Sequence, residues 1–320
     1  MADPVSRLGL GTSPLGNLFT EVTDDEARAV VDAAWEAGVR IFDTAPHYGL
    51  GLAERRLGAA LKDRPRDEFV LSTKVGRLLV PDPDGAGRLD DDGFAVPATL
   101  RRVWDFSADG VRRSLESSLD RLGLDRVDVV YLHDPDDHWD QAVGEAMPAL
   151  AELREQGVIG AIGAGMNQWQ MLARFVRESD VDSVLIAGRY TLLEQPALAE
   201  FLPLCAERGV DVLAAGVFNS GLLARQDVPD DVTYDYRAAP ADVVGRARRI
   251  AAVCARHGTT LLAAALWFAF GHPAVTGVII GARAEAEVRA NVEALSAPLP
   301  PELWAELRDE GLLDARVPTP

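Results

Sequence analysis

The chain has 320 residues, 48% hydrophobic and 26% charged, a globular composition that makes disorder the exception and supplies enough chain for a large buried core. Its formal net charge of −18 excludes nucleic acid and anionic membrane as expected partners, because both are held by clustered Lys and Arg. Cys205 and Cys254 fall in separate helical segments without metal-type spacing, so they read as reduced core residues of a cytoplasmic protein.

The opening "MADPVSRLGLGT" has no basic segment followed by an apolar run, which predicts no signal peptide. A first strand is expected at 7–12 ("RLGLGT"). Thr23 and Glu26 then form a capping-box pattern ahead of Ala27, Val30, Val31 and Ala34, one face of a helix. Strands follow at 39–45 ("VRIFDTA") and 69–75 ("FVLSTKV"). The connection from Gly76 to Phe106 is long and rich in Asp, Gly and Pro, a candidate substrate lid. Ser107 can cap a helix with Val111, Leu115, Leu119 and Leu122 on its apolar face.

A fourth strand is expected at 127–133 ("VDVVYLH"), before a helix with Ala142, Ala146, Met147, Leu150 and Leu153 on one face. Further strands are expected at 158–165, 181–190 and 209–216. Gly258 to Ala282 carries no formal charge, but Gly271, His272 and Pro273 divide it into a helix of about a dozen residues and a strand at 275–282, each too short to span a bilayer. Eight near-continuous apolar strands alternating with helices, without a linker, predict one α/β domain over 1–320: a parallel eight-stranded (β/α)8 TIM barrel. "GLGTSPLGN" does not supply the G-x-G-x-x-G that a dinucleotide-binding open sheet would place after its first strand.

Reactive groups of such barrels stand where strands end and loops begin. Strand two ends at Asp43, with His47 and Tyr48 in its loop. Strand three ends at Lys74 and strand four at His133. Each has a plain structural role open to it: Asp43 can cap a turn, Tyr48 can pack, Lys74 can extend its stem along apolar surface, and His133 can be a satisfied core histidine. Yet of 32 basic residues only Lys62 and Lys74 are lysines, so a lysine at a barrel mouth points to a need for a compact charge. A cation beside a phenol lowers its pKa from about 10, at about 1.4 kcal/mol per unit. Asp43 would hold Lys74 as ammonium, Lys74 would favour the Tyr48 phenolate, and His133 would orient the substrate oxygen or share the proton.

"FDTAPHYG", "STKVG", "VDVVYLHDP" and "IGAIGAGMN" together resemble the aldo-keto reductase family in order and spacing over almost the whole chain. The resemblance implies a barrel that binds extended NAD(P)H, with Asp43, Tyr48, Lys74 and His133 as the acid/base tetrad and Tyr48 as the proton donor or acceptor. It also implies cofactor contacts at Thr12, at Asn167, and along "FNSGLL" from Phe218 through Asn219, Ser220, Gly221 and Leu222. "GARAEAEVRAN" corresponds to the adenosine-phosphate region, through Gly281, Arg283, Glu287 and Asn291. Where the family has a glutamine on strand six, this chain has Ala187. Arg283 suits a 2′-phosphate and Glu287 repels one; the balance favours NAD, with NADP allowed.

Within the family, "TKVGRLLVP", the long insertion, "LHDPDDHW" and "GAGMNQWQ" look most like the aldose 1-dehydrogenase group, which includes D-threo-aldose (L-fucose) dehydrogenases and a related pyridoxal 4-dehydrogenase. That implies a small-molecule substrate, a sugar hemiacetal or related aldehyde or alcohol. His47, Arg77, Trp104 and Asp105 are the candidate substrate residues; Trp104 supplies either a stacking face or only an anchor for its loop. Two other readings compete. "HDPDDHWD" offers His133, Asp134, Asp136, Asp137 and His138 to a metal, but in one loop and with no role for Tyr48 or Lys74. A non-catalytic cofactor-binding subunit is the other.

Overall fold

The protein is described by a computed structural model covering residues 4–235 and 237–320. Aliphatic runs without polar alternation form strands only where both faces can be covered. Here they do so at β1 (Leu8–Gly11), β2 (Ile41–Asp43), β3 (Val70–Val75), β4 (Val129–His133), β5 (Ala161–Met166), β6 (Ser183–Ala187), β7 (Asp211–Ala215) and β8 (Val275–Gly281). Among the described residues these eight strands are all parallel and close into a barrel in sequence order, β1 pairing with both β2 and β8. The register sets Gly11 beside Asp43, Asp43 beside Ser72, Lys74 beside Tyr131 and His133 beside Gly165. The ends of β2, β3 and β4 therefore stand side by side at one mouth.

The outer helices start where capping chemistry allows. Helix Asp24–Glu36 begins on a reciprocal capping box: Glu26 N–H donates to Thr23 Oγ1 at 3.2 Å and Thr23 N–H donates to Glu26 Oε2 at 2.8 Å. Its Ala27, Val30, Val31 and Ala34 are buried. Ser107 caps helix Ala108–Leu122 through Gly110 N–H at 3.0 Å. Helix Leu261–Phe270 has no charged residue and is buried on nearly every side. No single helix among the described residues is long and apolar enough to cross a membrane.

One expectation is corrected, and two segments carry structure that the sequence pattern does not show. Several strands are shorter than their apolar runs: the sixth ends at Ala187 rather than Tyr190, because Gly188 takes a φ of +70° and turns the chain. The helix after β4 contains a π-helical turn at Ala142–Ala146, which interrupts the 3.6-residue face. The connection from Gly76 to Phe106 is not irregular throughout. Arg77–Pro81 and Leu100–Trp104 pair as an antiparallel hairpin that sets Arg77 opposite Trp104. Its tip folds back so that Phe94 is buried with Leu50 and Val96 against Tyr48, and Phe94 bridges to Leu18 of the β1 loop.

Candidate active site

Asp43 is the last residue of β2 and is almost wholly buried. A buried carboxylate needs partners for both oxygens, and the alternation of β3 supplies them. Ser72 and Lys74 are two residues apart and so face the same way. Ser72 Oγ donates to Asp43 Oδ1 at 2.7 Å and Lys74 Nζ donates to Asp43 Oδ2 at 2.7 Å, while Thr73 turns outward to Glu54. Lys74 is 1% exposed. Its Nζ also donates to Thr44 O at 2.9 Å and lies 4.9 Å from the centroid of the Tyr48 ring, hydrogen-bonded to that residue's side chain. Burial opposes charge on this amine, but Asp43 and Tyr48 outweigh it and hold Lys74 above its ordinary pKa. Lys74 is thus held in its ammonium form at neutral pH.

The Tyr48 loop reaches this position by a close backbone approach to the β1 loop. A Cβ on Gly49, whose φ is +61°, would lie 2.2 Å from Gly16 O, and one on Gly16 would lie 2.7 Å from the carbonyl carbon of Tyr48. Two glycines are what permit the contact. Across the mouth, the His133 ring sits edge-on to Tyr48 at 5.8 Å between centroids and to His47 at 5.5 Å. Burial and the nearby cations Arg77 and Lys74 push His133 well below the usual imidazole range. His47 is lowered to about 2 by burial, then by Arg77, Arg102 and Lys74. Both rings are neutral at physiological pH.

Arg77, the first residue of the hairpin, joins several of the candidate substrate residues. Its Nη1 donates to His47 Nδ1 at 3.2 Å, its Nη2 pairs with Asp134 Oδ2, and its guanidinium carbon lies 4.4 Å from the Trp104 ring centroid. Trp104 also meets Phe106 at 5.9 Å and His138 at 5.3 Å between centroids. Asp105 is not brought to the mouth. Its Oδ1 accepts from Ser107 N–H and Oγ, and its Oδ2 pairs with Arg113 at 2.8 Å, so its carboxylate is spent at the start of helix Ala108–Leu122.

The cofactor candidates line the strand ends on the other side of the mouth. Thr12 is fully buried and its Oγ1 donates to Asp43 O at 3.0 Å. Asn167, directly after β5, donates Nδ2 to Ala187 O at 3.0 Å. After β7, Asn219, Ser220 and Gly221 take φ values of +47°, +58° and +92°. Phe218 is half-buried and Leu222 buried below them. The Asn219 amide is buried with neither atom hydrogen-bonded, and Asn291 Oδ1 is likewise buried and unpaired. Unpaired buried amides are costly unless a ligand meets them, so these residues fit an extended polar group such as a dinucleotide. Gly281 ends β8; beyond it Glu287 Oε2 accepts from Arg283 N–H at 2.7 Å, and both of these side chains are exposed.

Four residues of this site were not singled out as its parts in the sequence: Ser72, Phe94, Arg102 and, outside the metal reading, Asp134. A polar residue two before a mouth lysine was the available signal for Ser72. Phe94 and Arg102, which donates to His47 O at 2.8 Å, had none, because the hairpin fold that places them is not periodic. Among the described residues no three His, Cys, Asp or Glu side chains converge as metal donors.

Residues 7–310 match the profile of the Aldo/keto reductase family. The chain is 49% identical to D-threo-aldose 1-dehydrogenase of Pseudomonas sp, over 99% of this chain and 96% of that protein. It is 40% identical to pyridoxal 4-dehydrogenase of Microbacterium luteolum, over 97% and 95%. The holo form of the aldo-keto reductase AKR11C1 from Bacillus halodurans superposes with a TM-score of 0.76 at 28% identity, covering 97% of this chain and 92% of that one.

Proposed function

Since the chain belongs to the aldo/keto reductase family and is an oxidoreductase, we propose that it oxidises the anomeric hydroxyl of an aldose of the L-fucose or D-threo type to the lactone. The observation that carries the reading is the buried Asp43–Lys74 pair set against Tyr48. A permanent ammonium there favours phenolate, the form able to take a proton from a hydroxyl. Nicotinamide dinucleotide, when bound, supplies the hydride acceptor. Asn167, Asn219, Asn291 and the backbone of Ser220–Leu222 would hold it.

In the oxidative direction the hydroxyl proton passes to Tyr48 Oη as the C1–H bond gives up its electron pair and C1–O becomes a carbonyl. His133, neutral and buried, orients the substrate oxygen. Formation of the lactone makes this direction favourable. Glu287 at the adenosine end disfavours a 2′-phosphate, so NAD is the preferred partner and NADP the weaker one. The two buried free thiols, Cys205 and Cys254, support a reducing, cytoplasmic setting. Pyridoxal, also a cyclic hemiacetal, is the second substrate reading, supported by the 40% identity to a pyridoxal 4-dehydrogenase.

Tyr48→Phe tests the mechanism. It is expected to keep cofactor binding, read by tryptophan quenching, and to lose at least about 100-fold in turnover. Near-normal turnover would sink the assignment. A panel of L-fucose, D-arabinose, L-galactose and pyridoxal with NAD and NADP, followed by nicotinamide absorbance, identifies the substrate and cofactor.

A further inference from the structure

We propose that Asp134 and His47, held together by Arg77, form an acceptor and donor pair that recognises a hydroxyl on the carbon next to the reacting one, so that the site selects vicinally hydroxylated substrates. The proposal rests on the reading above in placing the reacting carbon at Tyr48.

The donor follows from the chemistry of the guanidinium. Arginine only donates hydrogen bonds and does not lose its proton, so at 3.2 Å from Arg77 Nη1 the Nδ1 of His47 must accept. A neutral ring that accepts at Nδ1 carries its hydrogen on Nε2. Charge on the ring is opposed by its burial and by Arg77, Arg102 and Lys74 around it. The ring is fixed by Phe94 edge-on at 5.2 Å and by Arg102 on its backbone carbonyl. Among the described residues Nε2 meets no protein acceptor.

The acceptor is the second oxygen of Asp134. Oδ2 is taken by Arg77 and lies 3.7 Å from His133 Nε2; Oδ1 has no hydrogen-bond donor among the described residues. The side chain is 29% exposed. The backbone at Asp134 has a φ of +45°, held by its N–H donating to Gly165 O at 3.1 Å. Aspartate is among the residues that enter this left-handed region most readily, and the backbone bond to Gly165 holds it there.

Adjacent nitrogens of one guanidinium hold both residues, and the His47 ring lies 6.0 Å from the Tyr48 ring and 5.5 Å from the His133 ring between centroids, so the Nε2–H and the Oδ1 are the two ends that would meet one substrate hydroxyl. One hydroxyl can accept from the first and donate to the second at once. An aldehyde or alcohol without that hydroxyl leaves both groups unpaired in a partly dry site, a cost that falls on the wrong substrate. Arg77 touches no substrate in this scheme and acts as a positioning residue.

The test compares an aldose that the enzyme oxidises with its 2-deoxy counterpart, in the wild type, Asp134→Asn and Arg77→Met. The wild type is expected to favour the aldose by at least roughly tenfold in kcat/KM. Asp134→Asn should lose most of that preference, read as the ratio of kcat/KM between the two sugars. Arg77→Met should lose it too, and should convert the Nε2–H signature of His47 in nitrogen NMR into a tautomer mixture. Unchanged cofactor affinity by tryptophan quenching certifies each variant as folded. Equal losses on both sugars, or a wild type indifferent to the 2-hydroxyl, overturns the proposal while leaving aldose oxidation intact. A wild type inactive on every aldose overturns the reaction reading itself, and this proposal with it.

Discussion

Lys74 is 1% exposed and still charged, a state that Asp43 and Tyr48 sustain against burial, with Asp43 and Thr44 O each within 3 Å of the ammonium. Removing one member of such a pair strands the other. Lys74→Met is therefore expected to destabilise the fold by about 3–5 kcal/mol, read from the urea midpoint, in addition to abolishing turnover. The neutral histidines impose a pH dependence whose sign is fixed. His47 titrates near 6.5 when unfolded and near 2 when folded, so below about 6.5 the unfolded chain binds a proton that the folded one refuses. Stability is complete above that value and declines as pH falls through 6.5 towards 2. The urea midpoint should drop less steeply between about pH 6.5 and 5 in His47→Gln than in the wild type. The identities of Asp43, Tyr48, Lys74 and His133 were readable as candidates because each ends a strand or begins its loop. That Asp105 turns instead to Ser107 and Arg113 was not readable, because a carboxylate one residue away from a tryptophan can serve either the mouth or the next helix.

At the scale of elements, caps and faces were local and therefore legible: Thr23 with Glu26, and Ser107, start their helices where the pattern places them. Helix crossings were not. Gly58, inside helix Leu52–Leu61, would gain helix propensity as alanine, about 1 kcal/mol. But a Cβ there would lie 1.8 Å from Leu122 O, at the end of helix Ala108–Leu122. The clash involves backbone on both sides and cannot be relieved by a rotamer. Gly58→Ala is expected to lower the thermal midpoint, despite its better propensity, by an amount equivalent to roughly 1–3 kcal/mol. The hairpin from Arg77 to Trp104 was hidden for a related reason. Its pairing joins residues far apart in an Asp- and Pro-rich stretch, and its stability comes from Phe94 under Tyr48 and from Arg102 bound to Asp90 at 2.6 Å, contacts that no periodicity encodes.

At the scale of the molecule, the barrel has no free edge, since β1 bonds to β2 on one side and β8 on the other. Opening it anywhere exposes strand edges and the common core together. Far-ultraviolet circular dichroism and fluorescence of the six tryptophans, which are spread around the ring from Trp35 to Trp304, are expected to report one coincident urea transition. Separate midpoints would mean that part of the ring unfolds alone. The net charge of −18 opposes compaction, and at the mouth it is met locally by Lys74, Arg77 and Arg102, which pair with Asp43, Asp134 and Asp90 around two uncharged histidines.

The sequence by itself determined the alternation of eight apolar strands with capped helices, and hence the barrel and the strand ends at which chemistry collects. Those properties depend on neighbours within one turn or one strand. The tertiary structure alone decided which strand ends face one another at what distance, that Ser72 completes the cage of Asp43, and that a single guanidinium orders His47, Asp134 and Trp104. These contacts join residues dozens of positions apart, and their geometry is set by register, barrel closure and the folded insertion rather than by the residues at either end.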